Sequence, residues 1–301
     1  MTAPRLEQVH DPLLNQYDIQ LDILRLDNIH QQVNGNKWFK LKQNLAVASN
    51  GDYDCLLSFG GAYSNHIRAL AAASALAGLR SIGVIRGELP SPLNPVLQFA
   101  LDQGMLLHPI SRSSYRQKQT GEFITGLHRQ FGEFYLIPEG GSNELGVQGC
   151  EEIIDLLLPE LRAAGNGKPV YIATACGTGA TLAGLIRGAI KRQLDVRLLG
   201  IAVLKGAGFL REEVASWLGN VEGDGAKVRW NIELDYHFGG YARSTRELQQ
   251  FIESFVLSSG IPIEPVYTGK LFFGLYDLIQ KGTIPSGSRV VVLHTGGVLD
   301  I

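Results

Sequence analysis

The stretch that most constrains the fold of this 301-residue chain is Val170–Thr181, which reads VYIATACGTGAT. Its first half is apolar and typical of a buried β-strand, whereas Gly177 and Gly179 end the strand pattern before a helical segment begins. The next apolar run, Arg197–Leu204, follows that helical segment. A strand, a helix and a second strand at this spacing form a βαβ unit, so the stretch predicts a parallel sheet covered by helices.

The same alternation recurs before and after this unit. Strand-like runs separated by helical segments lie at Cys55–Phe59, Ser81–Ile85, Met105–Ile110, Phe134–Ile137 and Val290–Leu293, and an alternating segment at Asp18–Leu26 is expected to form an edge strand. The two blocks predict an α/β protein of two domains, each an open, mostly parallel, twisted sheet flanked by helices. We expect a large domain of residues 1–48 and 139–301, and a small α/β domain of residues 49–138.

A long amphipathic helix is predicted from Leu145 to Ala164. Apolar residues recur on one side of it, and the acidic residues on the other side are Glu151, Glu152, Asp155 and Glu160. We expect these acids to form a solvated helix face and not a carboxylate site.

Composition excludes several classes of protein. Hydrophobic residues make up 45% of the chain and charged residues 19%, and the net charge of −2 gives no sign of a nucleic-acid partner. No apolar run is long enough to span a bilayer, and the first residues lack the apolar core of a signal peptide, so we expect a cytoplasmic protein without a membrane partner. Cys55, Cys150 and Cys176 are expected to be buried reduced thiols, and no metal-ligand spacing is found.

A lysine follows a glycine turn near the start of the chain, where residues 33–42 read VNGNKWFKLK. Asn34-Gly35 favours a turn with positive φ, so Lys37 is expected where this turn becomes a helix. Lys37 and Lys40 are three residues apart and would share a helix face near the amino end, which favours anions. An amine beside an anion site suits a phosphorylated cofactor that bears a carbonyl group, although a solvated basic helix start would show the same residues.

Polar and glycine-rich segments follow several of the predicted strands. Parallel sheets bind ligands at the carboxyl ends of their strands, and the segments there are Gly60–His66, Gly140–Asn143, Gly177–Thr181 and His294–Gly297. The segment Gly177–Thr181 offers backbone N–H groups and two hydroxyl groups at a helix start, and these groups could together bind a phosphate, so the segment is called here the phosphate cup.

Two other phosphate-binding motifs fit this loop poorly. A dinucleotide-binding turn needs a third glycine where Leu182 stands and an acid after the next strand, which instead ends at Val203-Leu204-Lys205. A Walker-A loop needs a Lys-Ser/Thr pair that is absent here. The cup therefore suits a mononucleotide-like or phosphorylated cofactor.

Other residues near these loops also have structural interpretations. Ser64 fits a helix cap, and His66 lies among small apolar residues, as a hydrogen-bonded structural histidine would. Tyr241 and Tyr267 each flank a glycine and fit half-buried packing residues. No Gly-x-Ser-x-Gly elbow of a serine hydrolase is present.

Taken in chain order, these segments resemble the pyridoxal-phosphate enzymes of the tryptophan-synthase-β-like fold, and within them the D-cysteine desulfhydrase and 1-aminocyclopropane-1-carboxylate (ACC) deaminase family. The resemblance rests on Gly35-Asn36-Lys37, Ser64-Asn65-His66, Cys176-Gly177-Thr178-Gly179, Pro265-Val266-Tyr267-Thr268-Gly269-Lys270 and His294-Thr295-Gly296-Gly297. It spans nearly the whole chain. Two departures, Asn34 in place of a glycine and Phe39 in place of an arginine, indicate a divergent branch.

The resemblance implies pyridoxal 5'-phosphate as the cofactor and assigns roles to individual residues. Lys37 would hold the cofactor as a Schiff base and move the substrate's α-proton. The other cofactor-binding positions would be Lys40, Asn65, Cys176, Gly177, Thr178, Gly179, Ala180, Thr181, Thr268 and Thr295. The substrate, a small amino acid, would be bound by Ser64, Asn65, His66 and Gly141, and Ser64, Tyr241 and Tyr267 would be catalytic residues beside Lys37. The resemblance also implies a homodimer.

Two positions separate the branches of the family. ACC deaminases carry Glu where Thr268 stands and Leu where Thr295 stands, whereas desulfhydrase-like members carry a small hydroxyl residue at both. A carboxylate would keep the ring nitrogen protonated and make the ring a strong electron sink, and a hydroxyl group would give a milder one. We therefore expect a lyase that performs α,β-elimination, most like D-cysteine desulfhydrase, with ACC deamination and elimination from cysteate as alternatives. A non-catalytic sensor that binds the cofactor or an amino acid is the alternative of another class.

Overall fold

The computed structural model describes residues 4–163, 168–219 and 228–297. The chain divides into two compact units, Met1–Phe39 with Val147–Ile301 as unit 1, and Lys40–Gly146 as unit 2. In chain order the strands are β1 (Leu6–Val9), β2 (Gln20–Arg25), β3 (Cys55–Gly60), β4 (Arg80–Arg86), β5 (Leu106–Ile110), β6 (Tyr135–Ile137), β7 (Val170–Cys176), β8 (Arg197–Ala202), β9 (Arg229–Glu233) and β10 (Arg289–His294).

The α-helices connect these strands. They are α1 (Pro12–Gln16), α2 (Asn36–Asn50), α3 (Asn65–Leu76), α4 (Pro95–Asp102), α5 (Arg112–Tyr115), α6 (Gly121–Phe131), α7 (Glu144–Ala163), α8 (Ala180–Lys191), α9 (Phe209–Leu218), α10 (Arg246–Ser259) and α11 (Thr268–Gln280), with short 3-10 turns at Leu26–Asn28 and Glu139–Gly141. Within the described ranges, no helix is both long enough and apolar enough to cross a membrane.

Unit 1 contains a sheet with the strand order β1-β2-β10-β7-β8-β9. Only the β1–β2 pairing is antiparallel among the pairs of this sheet that the structure describes. The expectation that Asp18–Leu26 forms an edge strand was wrong, because β1 covers the outer side of β2 and β10 pairs with its other side. The four residues of β1, LEQV, are too few to show a clear alternation in the sequence.

Unit 2 contains a sheet with the strand order β5-β4-β3-β6, in which every described pairing is parallel. The prediction of an α/β fold with parallel sheets flanked by helices is confirmed in both units. Strand β3 is buried along its whole length, as expected for a parallel strand that is covered on both faces.

Strand β10 shows how the core of unit 1 is built. Val290 and Val292 pack into the apolar cluster on the side of α11, and Val291 and Leu293 pack into the cluster on the side of α7 and α8. All four side chains are fully buried. Since burial of one such side chain stabilises a fold by roughly 1.5–3 kcal/mol, this strand anchors the sheet that carries the glycine loops.

Helix α7 differs from the expectation at one residue. Glu151 is buried, and its carboxylate lies 2.7 Å from Arg187 Nε and 2.6 Å from Lys191 Nζ on α8. The prediction that Glu151 belongs to a solvated face was therefore wrong, because basic residues more than thirty positions away supply its partners. Asp155 does stay exposed and pairs with Arg192. The expected end of this helix at Ala164 lies outside the described residues.

Candidate active site

The turn before Lys37 packs against the end of β10. Gly35 has a φ of 68°, and a Cβ atom built on it would lie 1.9 Å from the carbonyl oxygen of Thr295. Only glycine permits this approach, since it has no Cβ and tolerates positive φ. Helix α2 begins directly afterwards at Asn36, so Lys37 lies in its first turn, as the sequence predicts. The two segments that carry Lys37 and Thr295 therefore meet within unit 1.

Asn36 links the Lys37 amine to helix α8. Its amide oxygen accepts a hydrogen bond of 3.0 Å from Lys37 Nζ, and its amide nitrogen donates one of 2.8 Å to Thr181 Oγ1. Asn36 is 6% exposed, so water competes little for these bonds. Sequence reasoning did not assign a role to Asn36, although an amide directly before a candidate reactive lysine is a usable signal.

Helix α8 begins at an end without a side-chain cap. Its N-cap residue is Gly179, with a left-handed φ of 78°, whereas α3 and α10 are capped by the hydroxyl groups of Ser64 and Thr245. The N–H groups of the first turn of α8 therefore do not point at a capping side chain of their own helix. Such N–H groups, together with the helix dipole, make an anion-binding site.

The two tyrosines singled out in the sequence lie together beside this helix start. The rings of Tyr241 and Tyr267 meet edge to face, with centroids 6.1 Å apart and planes at 71°. A Cβ atom on Gly177 would lie 3.4 Å from Cε1 of Tyr267, so this ring lies against the glycine loop. Unit 1 thus brings the glycine loop and both tyrosines into one cluster.

A half-buried glutamate, Glu264, organises the start of α11. Glu264 accepts hydrogen bonds from the N–H groups of Val266, Tyr267 and Thr268 at 2.6, 2.9 and 2.8 Å. Helix α11 begins directly after these residues, at Thr268. Desolvation raises the pKa of Glu264, and these hydrogen bonds oppose the rise. Sequence reasoning missed Glu264.

The Thr268 hydroxyl is engaged within the same turn. Its oxygen accepts a hydrogen bond of 2.9 Å from the Glu264 N–H and lies 3.2 Å from the Glu264 carboxylate, to which it can donate. Thr268 is fully buried. The hydroxyl proton therefore has a carboxylate acceptor inside the protein.

His294 fixes the segment that carries Thr295. This histidine is fully buried, and its Nε2 lies 2.7 Å from the Pro262 carbonyl, so Nε2 carries the proton. Its Nδ1 accepts from the Gly296 N–H at 3.4 Å and lies 3.3 Å from Asp27. Burial lowers the pKa of His294, and the Asp27 carboxylate opposes this shift.

Unit 2 carries the Ser64-Asn65-His66 segment at the start of α3. Ser64 Oγ accepts a hydrogen bond of 3.3 Å from the Ile67 N–H, which is the helix cap considered above. His66 is 2% exposed, and its Nε2 lies 2.8 Å from Ser58 Oγ, as expected for a structural histidine. Asn65 is the first residue of α3 and is half-buried.

Lys40 and Gly141 also lie in unit 2, and they adjoin His66. The Lys40 ammonium donates to the Gly140 carbonyl at 3.0 Å and to Ser142 Oγ at 3.4 Å. Gly141 has a φ of 67°, and a Cβ atom on it would lie 3.2 Å from Cβ of Lys40 and 3.4 Å from Cε1 of His66. These three predicted site residues are therefore neighbours.

The described residues contain no cluster of His, Cys, Asp and Glu side chains that could hold a metal ion. Cys55, Cys150 and Cys176 are buried thiols, and burial raises the pKa of the Cys55 thiol.

Known proteins that are similar to this chain indicate its family. Residues 16–296 match the family described as "Pyridoxal-phosphate dependent enzyme". A Pyrococcus horikoshii protein named putative 1-aminocyclopropane-1-carboxylate deaminase is 33% identical over 272 residues, which are 88% of this chain and 81% of that protein. An Arabidopsis thaliana protein named bifunctional D-cysteine desulfhydrase/1-aminocyclopropane-1-carboxylate deaminase is 30% identical over 94% of this chain and 73% of its own length.

A Klebsiella pneumoniae D-cysteine desulfhydrase is 28% identical over 98% of this chain and 94% of that protein. Among solved structures, an ACC deaminase homologue superposes with a TM-score of 0.85 and 28% identity, covering 99% of this chain and 90% of that one. A fungal L-serine ammonia-lyase from Rhizomucor miehei, at 17% identity and a TM-score of 0.66 over 99% of this chain and 94% of that one, shares the fold. The chain thus belongs to the family of pyridoxal-phosphate dependent enzymes, and pyridoxal 5'-phosphate is its cofactor.

Proposed function

We propose that this protein is a lyase that performs α,β-elimination on a small amino acid and acts most like a D-cysteine desulfhydrase. In that reaction D-cysteine and water give pyruvate, ammonia and hydrogen sulfide. The observation that carries the proposal is the position of Asn36, which joins the Lys37 amine to the first turn of α8. Asn36 therefore holds two groups together. The Lys37 amine would bind the aldehyde of the cofactor, and the start of α8 would bind its phosphate.

The residues present fit the cofactor. Gly179 leaves the start of α8 without a side-chain cap, and its positive φ favours glycine at this position. Residues 176–181 would bind the phosphate together with Lys40, Asn65 would bind the ring hydroxyl, and Thr268 and Thr295 would lie near the ring. When bound, the cofactor supplies an aldehyde for amino groups and an aromatic ring that accepts electrons from bonds at the substrate Cα.

Lys37 would have two tasks in the reaction. Its amine would bind the cofactor and then take the proton from the substrate Cα. The Asn36 amide oxygen accepts from Lys37 Nζ, so it can stabilise the amine after it has gained that proton. Through this hydrogen bond, Asn36 would hold the Lys37 amine in one orientation during both tasks.

Other residues would bind the substrate and the leaving group. Ser64 and nearby backbone N–H groups would receive the substrate carboxylate, with His66 and Gly141 supporting that part of unit 2. The hydroxyl groups of Tyr241 and Tyr267 would supply a proton to the departing thiolate. The edge-to-face contact of the two rings supports a common task.

The residues at 268 and 295 favour elimination over ring opening. Both are threonines, and the Glu264 carboxylate is engaged by three N–H groups and the Thr268 hydroxyl. That carboxylate caps α11, so its charge is shared among four donors. Expulsion of a thiolate requires less electron delocalisation than opening of a cyclopropane, so the site suits the former.

ACC deamination is the second candidate. It is supported by the names of the Pyrococcus horikoshii relative and of the similar solved structure, and the plant relative's name carries both activities. We further propose a homodimer, on the basis of the family resemblance, and a cytoplasmic location, on the basis of three cysteines that are reduced thiols. Light scattering of the purified protein tests the first, and cell fractionation tests the second.

The deciding experiment is a substrate panel with the purified holoenzyme. D-cysteine, L-cysteine, cysteate, D-serine derivatives and ACC are supplied, and pyruvate, 2-oxobutanoate, sulfide and sulfite are measured. We expect pyruvate and sulfide from D-cysteine. Release of 2-oxobutanoate from ACC without pyruvate from D-cysteine would replace the proposal by the deaminase, and sulfite from cysteate would change the leaving group.

Lysine variants separate an enzyme from a sensor. Lys37→Ala should abolish turnover and the covalent cofactor label that borohydride reduction leaves on the protein. Lys42→Ala, in the same helix, is the matched control and should retain both. A wild-type protein that binds the cofactor, turns over no substrate of the panel and keeps its binding in Lys37→Ala would be a sensor.

A further inference from the structure

The segment Tyr236–Ala242, called here the 236–242 loop, carries Tyr241 on an unusual backbone. Phe238, Gly239, Gly240 and Ala242 have φ values of 50°, 94°, 124° and 53°. Two of these residues are not glycine, so their side chains crowd the backbone in this conformation. Such strain persists only where the surroundings hold it in place.

One face of α11 holds this loop. Lys270, Phe273, Gly274 and Asp277 follow the spacing i, i+3, i+4 and i+7, which places them on one side of the helix. The Phe273 ring meets the Phe238 ring edge-on at 4.8 Å. A Cβ atom on Gly274 would lie 3.0 Å from the Tyr236 ring, and Asp277 accepts a hydrogen bond of 2.6 Å from the hydroxyl of that tyrosine.

Lys270 makes the most unusual contact of this face. Its side chain is fully buried, and its ammonium donates to the carbonyls of His237 at 2.9 Å, Gly240 at 2.8 Å and Val203 at 3.4 Å. These three acceptors match the three N–H donors of an ammonium group. The acceptors His237 and Gly240 lie at the two ends of the strained stretch that directly precedes Tyr241.

An ammonium surrounded by neutral carbonyls is a costly way to fill a core. Desolvation lowers the pKa of Lys270 to about 8, and the Glu264 charge opposes this. Even buried ion pairs can often be replaced by well-packed apolar residues without loss of stability. An apolar residue could not donate hydrogen bonds to the carbonyls of His237 and Gly240. The contribution of the lysine is therefore to hold these two carbonyls in place.

We infer that Lys270 is a positioning residue: its hydrogen bonds to His237 and Gly240 fix the 236–242 loop and thereby place the Tyr241 ring against Tyr267. Helix α11 then orients both tyrosines, since Tyr267 directly precedes it and Tyr241 is held through Lys270. The consequence for catalysis rests on the proposed function, because it requires that Tyr241 acts in the reaction. The placement of the Tyr241 ring is independent of the proposed function.

The first test removes the donor. Lys270→Met keeps most of the length of the side chain without its N–H groups, and Lys168→Met is the control at an exposed lysine. We expect Lys270→Met to keep bound cofactor and its absorbance, with a kcat lower by about 10–100-fold, since small misplacements of a catalytic group cost this much. An unchanged kcat in an enzyme that turns over D-cysteine would overturn the inference.

The second test asks whether Lys270 acts through Tyr241. Tyr241→Phe and the double variant complete a mutant cycle with Lys270→Met. We expect the double variant to be about as slow as Tyr241→Phe alone. Losses that multiply would show that Lys270 acts elsewhere, and the inference would be wrong.

The third test does not depend on turnover. In protein labelled with carbon-13 on tyrosine rings, the Tyr241 signal, assigned by its loss in Tyr241→Phe, should shift in Lys270→Ala and return when n-propylamine fills the space. n-Propanol should not restore it, and Lys168→Met with n-propylamine corrects for the reaction of the amine with the cofactor. An unmoved signal in Lys270→Ala, or equal recovery with n-propanol, refutes the placement even if the lyase activity is absent.

Discussion

The backbone of Gly35 lies so close to the Thr295 carbonyl that a Cβ atom there would be 1.9 Å from its oxygen. The contact joins the turn before Lys37 to the segment after β10, and the Gly35 N–H also donates to the Leu26 carbonyl at 2.8 Å. The position of the Lys37 amine therefore depends on the absence of a side chain at Gly35.

Gly35→Ala should lose both stability and cofactor binding. The new methyl group must push the Thr295 segment away, and the positive φ adds strain of about 1–3 kcal/mol. We expect a lower melting temperature and little borohydride-fixed cofactor on Lys37. Gly78→Ala is a matched control, because Gly78 has a φ of 70° and open space around its Cβ position. Equal effects of the two substitutions would show that the contact with Thr295 is unimportant.

Asn36→Asp should weaken cofactor capture without unfolding the protein. A carboxylate 3.0 Å from Lys37 Nζ would favour the ammonium form, which cannot attack an aldehyde, and would repel an anion at the start of α8. We expect cofactor affinity to fall about tenfold or more at neutral pH, corresponding to about 1.4 kcal/mol. Absorbance titration with the cofactor measures it, with the exposed Asn15→Asp as control. An unchanged cofactor affinity in Asn36→Asp would show that Asn36 does not contribute to cofactor binding.

The features that could be predicted from the sequence are local ones. The strand–glycine–helix pattern at Val170–Thr181 and the turn before Lys37 are encoded within a dozen residues, because propensity and glycine placement act over that range. Strand β9 was missed, since its five residues RWNIE give only a short alternation of polar and apolar side chains.

The features that could not be predicted depend on partners distant in the chain. Asn36 and Thr181 are 145 residues apart, and Lys270 and Val203 are 67 apart, so no local pattern indicates their hydrogen bonds. The same reason explains the burial of Glu151, whose partners lie on another helix. The roles of Lys40, Asn65 and Thr268 in cofactor binding stay predictions.

Glu264→Ala should loosen the start of α11 and slow elimination. Three N–H groups would lose their acceptor, which costs about 0.5–2 kcal/mol of stability for a helix cap. Thr245→Ala removes the cap of α10 and serves as a control with a similar loss of stability. We expect kcat to fall only in Glu264→Ala, because α11 follows Tyr267 directly. Circular dichroism melting and steady-state kinetics provide the comparison, and a parallel fall of kcat in Thr245→Ala would point to general destabilisation.

The buried Lys270 should make the free energy of unfolding depend on pH above about pH 8. Its pKa is about 8 in the folded protein, below the ordinary value of 10.5 for a lysine, so between pH 8 and 10.5 the unfolded chain binds more protons than the folded one. The free energy of unfolding of the wild type should therefore rise relative to Lys270→Met as the pH increases from about 8 to 10.5, with a slope of at most about 1.4 kcal/mol per pH unit. Urea unfolding of both proteins at several pH values measures this difference, and Lys168→Met corrects for the loss of one positive charge. A difference that instead favours Lys270→Met more strongly as the pH rises would mean that the folded protein stabilises the ammonium form, contrary to its burial among neutral carbonyls.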